Sequence, residues 1–327
     1  MKPEETRLRL TILGGFLGAG KSTWLRHQLF VKTYDQPYVI VNEVATHAVD
    51  DTLLAGAFHL DVLAGGCVCC DLKHQMITLL NRICNDRSQK QDRPSARQLI
   101  FEMSGVADPA QVMAAIQDDP ILSRNIILEE IIVVVDALHG LEQLRTEFLS
   151  RRQIEAADRI FITKADVPGV KNLGTLLATL RQLNPGPDIQ SCAFGVEVPM
   201  PSTPISEPLP LPYLDSADDE PLSSLLLNLD EYSVDGDFWV GFSVWLSAML
   251  HSHGDRMVRV KGVVRTPTGR LLLQSVRKVM QTPEILPNEG DRSSDNTIVL
   301  IGRGMEPERI ERSLRHIVAK EENPNNL

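Results

Sequence analysis

A glycine-rich segment with a lysine and two hydroxyl residues follows the first apolar run of the chain. The run RLRLTIL leads into GFLGAGKST at positions 15–23, which fits the pattern GxxxxGKS between a predicted strand and a predicted helix. Such a loop curves its backbone amides around phosphate, Lys21 neutralises the outer phosphates, and the Ser22 hydroxyl can ligate Mg²⁺. The sequence therefore predicts a nucleotide site. Its expected phosphate-binding residues are Gly15, Gly18, Ala19, Gly20, Lys21, Ser22 and Thr23.

A candidate base reader stands at the end of the apolar run DRIFI, where Thr163, Lys164 and Asp166 belong to the sequence TKAD. These residues resemble the N/T-K-x-D motif of P-loop GTPases, in which the lysine stem lies along the base and the aspartate accepts two hydrogen bonds from guanine. Adenine presents no such pair of donors, so ATP would leave the carboxylate unpaired. A surface turn is the alternative interpretation of so short a motif. Its position after a predicted buried strand favours a base reader and predicts GTP as the nucleotide.

Acidic residues near the ends of predicted strands are candidates for hydrolytic chemistry. The run RQLIF ends at Glu102, where a P-loop hydrolase needs a carboxylate near Mg²⁺, and the amide of Gly105 can meet the γ-phosphate. Glu102 is then expected to order the water shell of the metal or the attacking water, and an ordinary strand-end carboxylate is the alternative. Asp50 and Asp108 are weaker candidates, and Asp136 is expected to cap the helix that follows it. The expected catalytic residues are Lys21, Glu102 and Asp50.

Three of the five cysteines are clustered in the sequence GGCVCC, as Cys67, Cys69 and Cys70. In an extended segment residues two apart point to one side, so Cys67 and Cys69 can converge while Cys70 stands at the start of the next helix. Thiolates bind zinc, cobalt and other soft metals, and Glu43 or His47 could complete the site. Buried structural thiols and a redox pair are the alternatives. The expected metal ligands are Ser22 for Mg²⁺ and Cys67, Cys69, Cys70 and Glu43 for zinc or cobalt.

Short apolar runs alternate with helix-like segments through the first two-thirds of the chain, and these elements must position the motifs. The alternation predicts an α/β fold, a P-loop NTPase domain over 1–198 with a mostly parallel sheet and helices on both faces. Seven of the 20 prolines and an acidic run follow, which predicts a Pro-rich acidic linker over 199–235. A helix, a β-hairpin, a further strand and an amphipathic closing helix then predict a smaller α+β C-terminal domain over 236–327.

Charge and composition limit the classes of partner. The 327 residues include 33 Lys and Arg against 43 Asp and Glu, a formal net charge of -10 at pH 7. This acidic balance disfavours a protein that binds nucleic acid by neutralising phosphates. The nearly uncharged stretches are shorter than the roughly 18 apolar residues that cross a bilayer, and the N-terminal sequence is too polar for a signal-peptide core. We therefore expect a cytoplasmic protein with no nucleic-acid or membrane partner.

These motifs together resemble those of one family, the CobW-type GTPases, which are relatives of the urease and hydrogenase nickel-insertion GTPases. The resemblance covers nearly the whole chain. The segments that carry it are GGFLGAGKST, VNE at 41–43, GGCVCC, EMSGVADP at 102–109, VVDA at 134–137, QIEAADRIFITKAD at 153–166, RVKGVV at 259–264 and IGRGMEPERIERSL near the C-terminus. Several members of the family act as zinc or cobalt metallochaperones. The resemblance implies that Asp50 and Glu43 lie in a nucleotide-sensing switch and that the CxCC sequence is the metal-binding site.

The chain departs from the family in this switch, where Ala45 and Ala48 replace two glycines. If those glycines adopt positive φ, the alanines change the path of the switch. The resemblance implies a GTP-hydrolysing metallochaperone or metallocentre-assembly protein that uses GTP/GDP, Mg²⁺ and Zn²⁺ or Co²⁺. Its implied partners are a client metalloprotein and a second copy in a nucleotide-dependent homodimer. The alternatives are an ATP-using P-loop ATPase or kinase with structural cysteines and a GTP-gated non-catalytic binding module.

Overall fold

The computed structural model consists of two units, residues 1–217 and 218–327. The residues that it describes are 7–35, 37–43, 59–64, 71–89, 97–167, 172–202, 206–212, 222–232, 236–267, 269–277, 279–286 and 295–318. Within these ranges no helix combines the length and the apolar character that a membrane span requires.

The first unit is built on a mostly parallel sheet, as the sequence predicts. Its described strands are β1 (Leu8–Gly14), β2 (Tyr38–Glu43), β3 (His59–Ala64), β4 (Gln98–Glu102), β5 (Ile126–Asp136), β6 (Arg159–Thr163), β7 (Asp188–Ala193) and β8 (Val196–Val198). The order across the sheet is β3-β2-β4-β1-β5-β6-β7-β8. Neighbouring strands run parallel except β7 and β8, which form an antiparallel pair. The predicted α/β fold with a P-loop NTPase arrangement is therefore confirmed.

Helices connect these strands. Those in the described part of the unit are α1 (Lys21–Phe30), α2 (Asp71–Gln89), α3 (Pro109–Asp118), α4 (Leu122–Asn125), α5 (Gly140–Thr146), α6 (Phe148–Ala156) and α7 (Leu173–Leu183). Asp108 precedes α3 and accepts a hydrogen bond from the Ala110 amide at 2.9 Å, and Pro109 occupies the first turn. Both residue types are favoured at a helix N-terminus. Asp108 therefore caps the start of α3.

Strand β1 lies between β4 and β5, and this central position brings the predicted motifs to one edge of the sheet. Leu13 of β1 is opposite Glu102 of β4, and Asp136 of β5 is opposite Thr163 of β6. The carboxyl ends of parallel strands meet at the same edge, where α/β proteins bind their ligands. The phosphate loop, the acidic strand end and the TKAD sequence therefore lie along one edge.

The described part of the second unit is an antiparallel sheet with two helices. Its elements are β9 (Leu222–Asn228), α8 (Gly236–His253), a 3₁₀ turn (Gly254–Arg256), β10 (Met257–Thr266), β11 (Gly269–Val276), β12 (Val279–Met280), β13 (Glu284–Leu286), β14 (Thr297–Arg303) and α9 (Pro307–Val318). The strand order is β12-β11-β10-β14-β9, with β13 paired to β11. Phe242 and Trp245 of α8 share one apolar core with Leu300 of β14 and Leu314 of α9. The predicted α+β domain, including its hairpin β10–β11 and its closing helix, is confirmed.

Strand β9 lies inside the range 199–235 that the proline content assigned to a linker. It runs antiparallel to β14, with Leu225 opposite Leu300. Leu225 and Leu227 are buried, whereas Leu226 between them is 63% exposed. Alternating burial is typical of a strand with one buried face. The sequence itself does not show the alternation, because residues 225–227 are three consecutive leucines that follow a proline-rich stretch. The C-terminal unit thus begins before residue 236, within the range predicted to be a linker.

Asn184, directly after α7, joins that helix to the end of α6. Its Nδ2 donates to the carbonyl groups of Ile154, Glu155 and Ala157 at distances between 2.8 and 3.1 Å. Its Oδ1 accepts a hydrogen bond from the Gly186 amide at 3.1 Å. The side chain is 1% exposed, so all of these bonds are made away from water.

We expect Asn184→Leu to lower the free energy of unfolding by about 2–4 kcal/mol, because the substitution leaves buried carbonyl groups without a donor. Gln182→Leu makes the same exchange of an amide for an apolar group at an exposed position of α7 and should change stability little. Urea unfolding followed by circular dichroism compares the two variants with the wild type. Equal midpoints for both variants would contradict the role of Asn184.

Candidate nucleotide-binding site

The phosphate loop lies between β1 and α1, and its glycines adopt backbone conformations that other residues rarely reach. Gly15, Gly18 and Gly20 have φ values of 137°, 75° and 95°. A side chain at Gly15 would also place its Cβ 2.5 Å from the Val134 carbonyl oxygen of β5. Gly20 is the N-cap residue of α1, so the first amides of this helix are directed towards the loop. The arrangement suits the binding of a phosphate group.

Lys21, the first residue of α1, folds back over the loop. Its Nζ donates to the carbonyl oxygen of Gly15 at 2.9 Å and to that of Phe16 at 3.3 Å. These contacts keep a full positive charge beside the partial positive charge of the helix N-terminus. The loop thus combines two sources of attraction for an anion.

Ser22 and Glu102, which two separate motifs predicted, are in direct contact. The Ser22 hydroxyl donates to Oε1 of Glu102 at 2.6 Å, and Glu102 is 4% exposed at the end of β4. Hydroxyl and carboxylate oxygens are the ligand types that Mg²⁺ prefers, and neighbouring ligands of an octahedral Mg²⁺ ion lie roughly 3 Å apart. The two side chains therefore fit a Mg²⁺ ion, bound directly or through its water molecules.

The segment after β4 approaches the phosphate loop at Gly105. A Cβ at this position would lie 2.6 Å from the Leu17 amide nitrogen, so only glycine permits the approach. Gln153 of α6 holds the segment from the other side, because its Nε2 donates to the carbonyl oxygens of Gly105 at 3.3 Å and Ala107 at 2.8 Å. Sequence reasoning missed this role. Gln153 is 1% exposed, whereas glutamine is mostly a surface residue and its type gives no signal of burial.

Thr163 and Lys164 join the end of β6 to the phosphate loop. The Thr163 hydroxyl donates to the Ala19 carbonyl at 2.7 Å, and Lys164 Nζ donates to the Gly18 carbonyl at 3.0 Å. Lys164 has a φ of 57°, a left-handed conformation that is uncommon for a residue with a side chain. A plain surface turn does not account for these contacts. The geometry favours the interpretation of TKAD as part of the nucleotide site.

Lys164 also pairs with Asp136 at the end of β5. Its Nζ lies 2.7 Å from Oδ2 of Asp136, and Oδ1 accepts from the Leu138 amide at 2.8 Å. Burial alone raises the pKa of the Asp136 carboxyl, but hydrogen bonds from Lys164, His139 and Leu138 hold that pKa below its usual value. Helix α5 begins at Gly140 without a side-chain cap, so the expectation that Asp136 caps it is wrong. The carboxylate instead fixes the ammonium group of Lys164.

Asp166 is exposed at the same edge, beside the loop that follows β7. Thr163 is opposite Cys192 in the parallel pair of β6 and β7, so the two loops leave neighbouring strand ends. Burial, together with the charges of Glu197 and Asp166, raises the pKa of the Cys192 thiol to about 11. Phe194 in the second loop is 80% exposed. The exposed Asp166 carboxylate is thus accessible to a ligand at this edge of the sheet.

A cavity of about 340 Å³ lies between the phosphate loop and the ends of β2 and β4. Lys21 and Ser22 line it from α1, Glu102 from β4, and Asn42 from β2. One space therefore gathers an ammonium group, a hydroxyl, a carboxylate and an amide. Sequence reasoning used the first three side chains. It included Asn42 only as part of the VNE segment of the family resemblance and gave it no role of its own.

Several predicted site residues lie outside the described residues. They are Asp50, Cys67, Cys69 and Cys70, and of Glu43 only the backbone in β2 is described. In the part of the chain that the structure covers, no group of three His, Cys, Asp or Glu side chains could hold a metal ion. The zinc or cobalt site therefore stays a prediction.

The fold and the site define a P-loop nucleotide-binding protein. Residues 9–190 match the family model described as CobW/HypB/UreG, nucleotide-binding domain, and residues 236–318 match the cobalamin synthesis protein cobW C-terminal domain. The first match spans more than half of the chain. The chain therefore belongs to the CobW/HypB/UreG family, and the resemblance drawn from its motifs is confirmed.

Two relatives and one solved structure extend over nearly the whole chain. The zinc chaperone YjiA of Escherichia coli is 30% identical over 317 residues, which span 93% of this chain and 96% of that protein. The zinc-regulated GTPase metalloprotein activator 1 of Saccharomyces cerevisiae is 25% identical over 372 residues, covering 95% of this chain and 84% of the relative. The crystal structure of Zn(II)-bound YjiA GTPase from E. coli shares the fold, with a TM-score of 0.57, 24% identity and coverage of 95% of this chain and 99% of that one.

We expect Lys164→Met to destabilise the first unit by roughly 1–2 kcal/mol at neutral pH and to raise the pKa of Asp136, because the buried carboxylate loses its charged donor. In the wild type a lowered pKa means that the stabilisation is present above the unfolded value of about 4 and is lost as pH falls through the folded value. The difference in Tm between the two proteins should therefore be largest near pH 7 and shrink below about pH 4.

Arg145→Met is the matched control, because it removes an ion pair with Glu142 in which both side chains are exposed, and we expect it to change Tm little. Differential scanning calorimetry between about pH 3 and pH 7 measures all three proteins. A difference for Lys164→Met that does not depend on pH would contradict the assigned ion pair.

Proposed function

We propose that this protein is a GTP-hydrolysing metallochaperone, which uses its nucleotide state to control the transfer of zinc or cobalt to a client metalloprotein. The observation that supports the proposal is the contact of Thr163 and Lys164 with the phosphate loop, because the two sequences predicted to bind phosphate and base touch one another. The names of the two relatives, a zinc chaperone and a zinc-regulated GTPase metalloprotein activator, support the metal part of the proposal.

In this proposal the triphosphate lies in the loop with its terminal phosphate in the cavity. Lys21 neutralises the outer phosphate oxygens, and the amide of Gly105 donates to the γ-phosphate as negative charge develops during hydrolysis. Ser22 and Glu102 would hold Mg²⁺, which supplies further neutralisation of the phosphates. Glu102 also orders water by accepting its hydrogen bond. Attack of water on the γ-phosphorus then yields GDP and inorganic phosphate.

Selection of guanine is assigned to Asp166 and Lys164. The Asp166 carboxylate accepts hydrogen bonds from the ring N–H and the amino group of guanine, a pair that adenine does not offer. The stem of Lys164 lies along the base while its Nζ stays on Gly18 and Asp136. The hydrogen bonds at Nζ already hold this side chain in place before the base binds, so little side-chain entropy is lost on binding.

The cargo metal is assigned to Cys67, Cys69 and Cys70, with Glu43 as a further ligand. Glu43 ends strand β2, the strand whose Asn42 lines the phosphate cavity, so the two sites share one element. A change in metal affinity on GTP binding then requires an equal change in GTP affinity on metal binding. A client metalloprotein and a second copy in a nucleotide-dependent homodimer are the partners that this function predicts.

We expect Asp166→Asn to lose use of GTP and to gain use of xanthosine triphosphate, because the amide donates where the carboxylate accepted and xanthine offers the matching acceptor. The loss for GTP should be on the order of 2–4 kcal/mol, the value of a charge-assisted pair of hydrogen bonds. Phosphate release measured with GTP, xanthosine triphosphate and ATP tests this.

Asp188→Asn, an exposed aspartate at the amino end of β7, should keep the parent preference, and Lys21→Ala should abolish turnover with every nucleotide. If Asp166→Asn hydrolyses GTP and ATP as the parent does, TKAD is only a turn. If the wild type prefers ATP, the protein is an ATPase or kinase instead.

We expect replacement of Cys67 and Cys69 by serine to remove tight zinc or cobalt binding while GTP binding persists, because the nucleotide residues belong to other elements. Cys84→Ser is the control, since burial raises the pKa of that thiol to about 11 and disfavours the thiolate that binds metal. Metal is titrated into each protein with and without a GTP analogue. Equal affinities for wild type and the double variant in both nucleotide states would defeat the ligand assignment and the metallochaperone proposal.

A further inference from the structure

Asn42 is a buried amide that faces the phosphate cavity. It is 3% exposed at the end of β2 and lines the same space as Lys21, Ser22 and Glu102. Across the residues for which the structure gives positions, neither Nδ2 nor Oδ1 of Asn42 has a hydrogen-bond partner. A buried polar group without a partner costs free energy, so this side chain is poorly explained by the needs of the fold.

Asn184 is a buried asparagine of the same unit whose hydrogen bonds serve the fold, and it can be compared with Asn42. That side chain is also buried, yet its Nδ2 donates to three carbonyl groups and its Oδ1 accepts from an amide. The contrast between two buried asparagines in one sheet unit separates a side chain that serves the fold from one that faces a binding space. The unmet donor and acceptor of Asn42 therefore point to a ligand.

The chemistry of the amide limits what the ligand can be. Nδ2 needs an acceptor and Oδ1 needs a donor, so a single carboxylate or a single ammonium cannot satisfy both. In the register of the sheet Val41 is opposite Glu102, which places Asn42 just beyond the carboxylate at the open edge. A terminal phosphate oxygen accepts, and a water molecule held beside it donates. The end of a hydrated triphosphate supplies both partners.

We propose that Asn42 reads the terminal phosphate of the bound nucleotide together with its adjacent water, and so distinguishes a nucleoside triphosphate from a diphosphate. This inference rests on the proposed nucleotide function and adds a specificity residue to it. Nδ2 donates to a γ-phosphate oxygen, and Oδ1 accepts from the water. A bound diphosphate has no γ-phosphate oxygen, so it leaves the amide of Asn42 without this hydrogen-bond partner.

The test compares Asn42→Leu with Asn184→Leu, two exchanges of a buried amide for a side chain of similar size. Affinities for β,γ-imido-GTP and for GDP are measured by calorimetry in the presence of Mg²⁺, and Tm is measured without nucleotide. Asn42→Leu should reduce the preference for the triphosphate analogue over GDP roughly tenfold, as expected for a lost hydrogen bond to a charged group. Its nucleotide-free Tm should rise by roughly 2–4 °C, because an unmet polar group has been removed.

Asn184→Leu should do the reverse, lowering the nucleotide-free Tm and leaving the preference unchanged. An unchanged preference in Asn42→Leu overturns the inference, and so does a fall in its Tm equal to that of Asn184→Leu. If the wild type binds neither guanine nucleotide, the proposed function itself fails. If the wild type prefers the triphosphate and the Asn42→Leu variant keeps that preference, only the role of Asn42 fails.

A second measurement on the wild type does not depend on the folding of Asn42→Leu. The protein is labelled with ¹⁵N at asparagine only, and the side-chain amide signal of Asn42 is assigned by its loss in the isosteric variant Asn42→Asp. The signal should move on addition of β,γ-imido-GTP with Mg²⁺ and stay in place with GDP and Mg²⁺. A signal that moves equally with both nucleotides, or with neither, overturns the inference.

Discussion

Carbonyl groups of the phosphate loop accept hydrogen bonds from cationic and hydroxyl side chains, and the rest of the site depends on this arrangement. The carbonyl oxygen of Gly15 accepts a hydrogen bond from Lys21, and that of Gly18 accepts one from Lys164. The carbonyl oxygen of Ala19 accepts one from the Thr163 hydroxyl. A peptide group whose carbonyl oxygen is satisfied in this way needs no further partner on that side. These three carbonyl oxygens are therefore bonded within the protein, so they do not need to face the space where an anion would bind.

The polar side chains of this edge differ in how many hydrogen-bond partners they have. Towards β5 and β6, the buried Asp136 is paired with Lys164, and Gln153 holds the segment that contains Gly105. Towards β2, Asn42 faces the cavity without a partner in the described parts of the chain. The contacts near β5 and β6 hold Lys164 and the segment of Gly105 in place. The amide of Asn42 near β2 is available to a ligand in the cavity. Glu43, the first of the predicted metal ligands along the chain, follows Asn42 directly at the end of β2.

Motifs that are continuous in the chain were predictable, because their chemistry depends on neighbouring residues. The glycine loop with its lysine, the strand-end Glu102 and the TKAD sequence each indicate a role through their residue types and spacing. Contacts between distant residues were not predictable in this way. Asp136 meets a lysine 28 positions away, and Gln153 meets Gly105 at a separation of 48. Strand β9 was hidden because the prolines before it dominated the composition and because its leucines at 225–227 are consecutive and do not alternate with polar residues.

The sequence by itself determined the chemical kind of the phosphate loop, because charge, hydroxyl groups and the freedom of glycine at positive φ are properties of single residues and short spacings. It also determined the alternation of strands and helices, since apolar periodicity is local. The tertiary structure alone decided which polar side chains are buried with partners and which without. Asn42 and Asn184 are the same residue type, and their sequences do not tell them apart. Burial and hydrogen bonding are set by elements far away in the chain, so only the packed sheet assigns one asparagine to the fold and the other to the cavity.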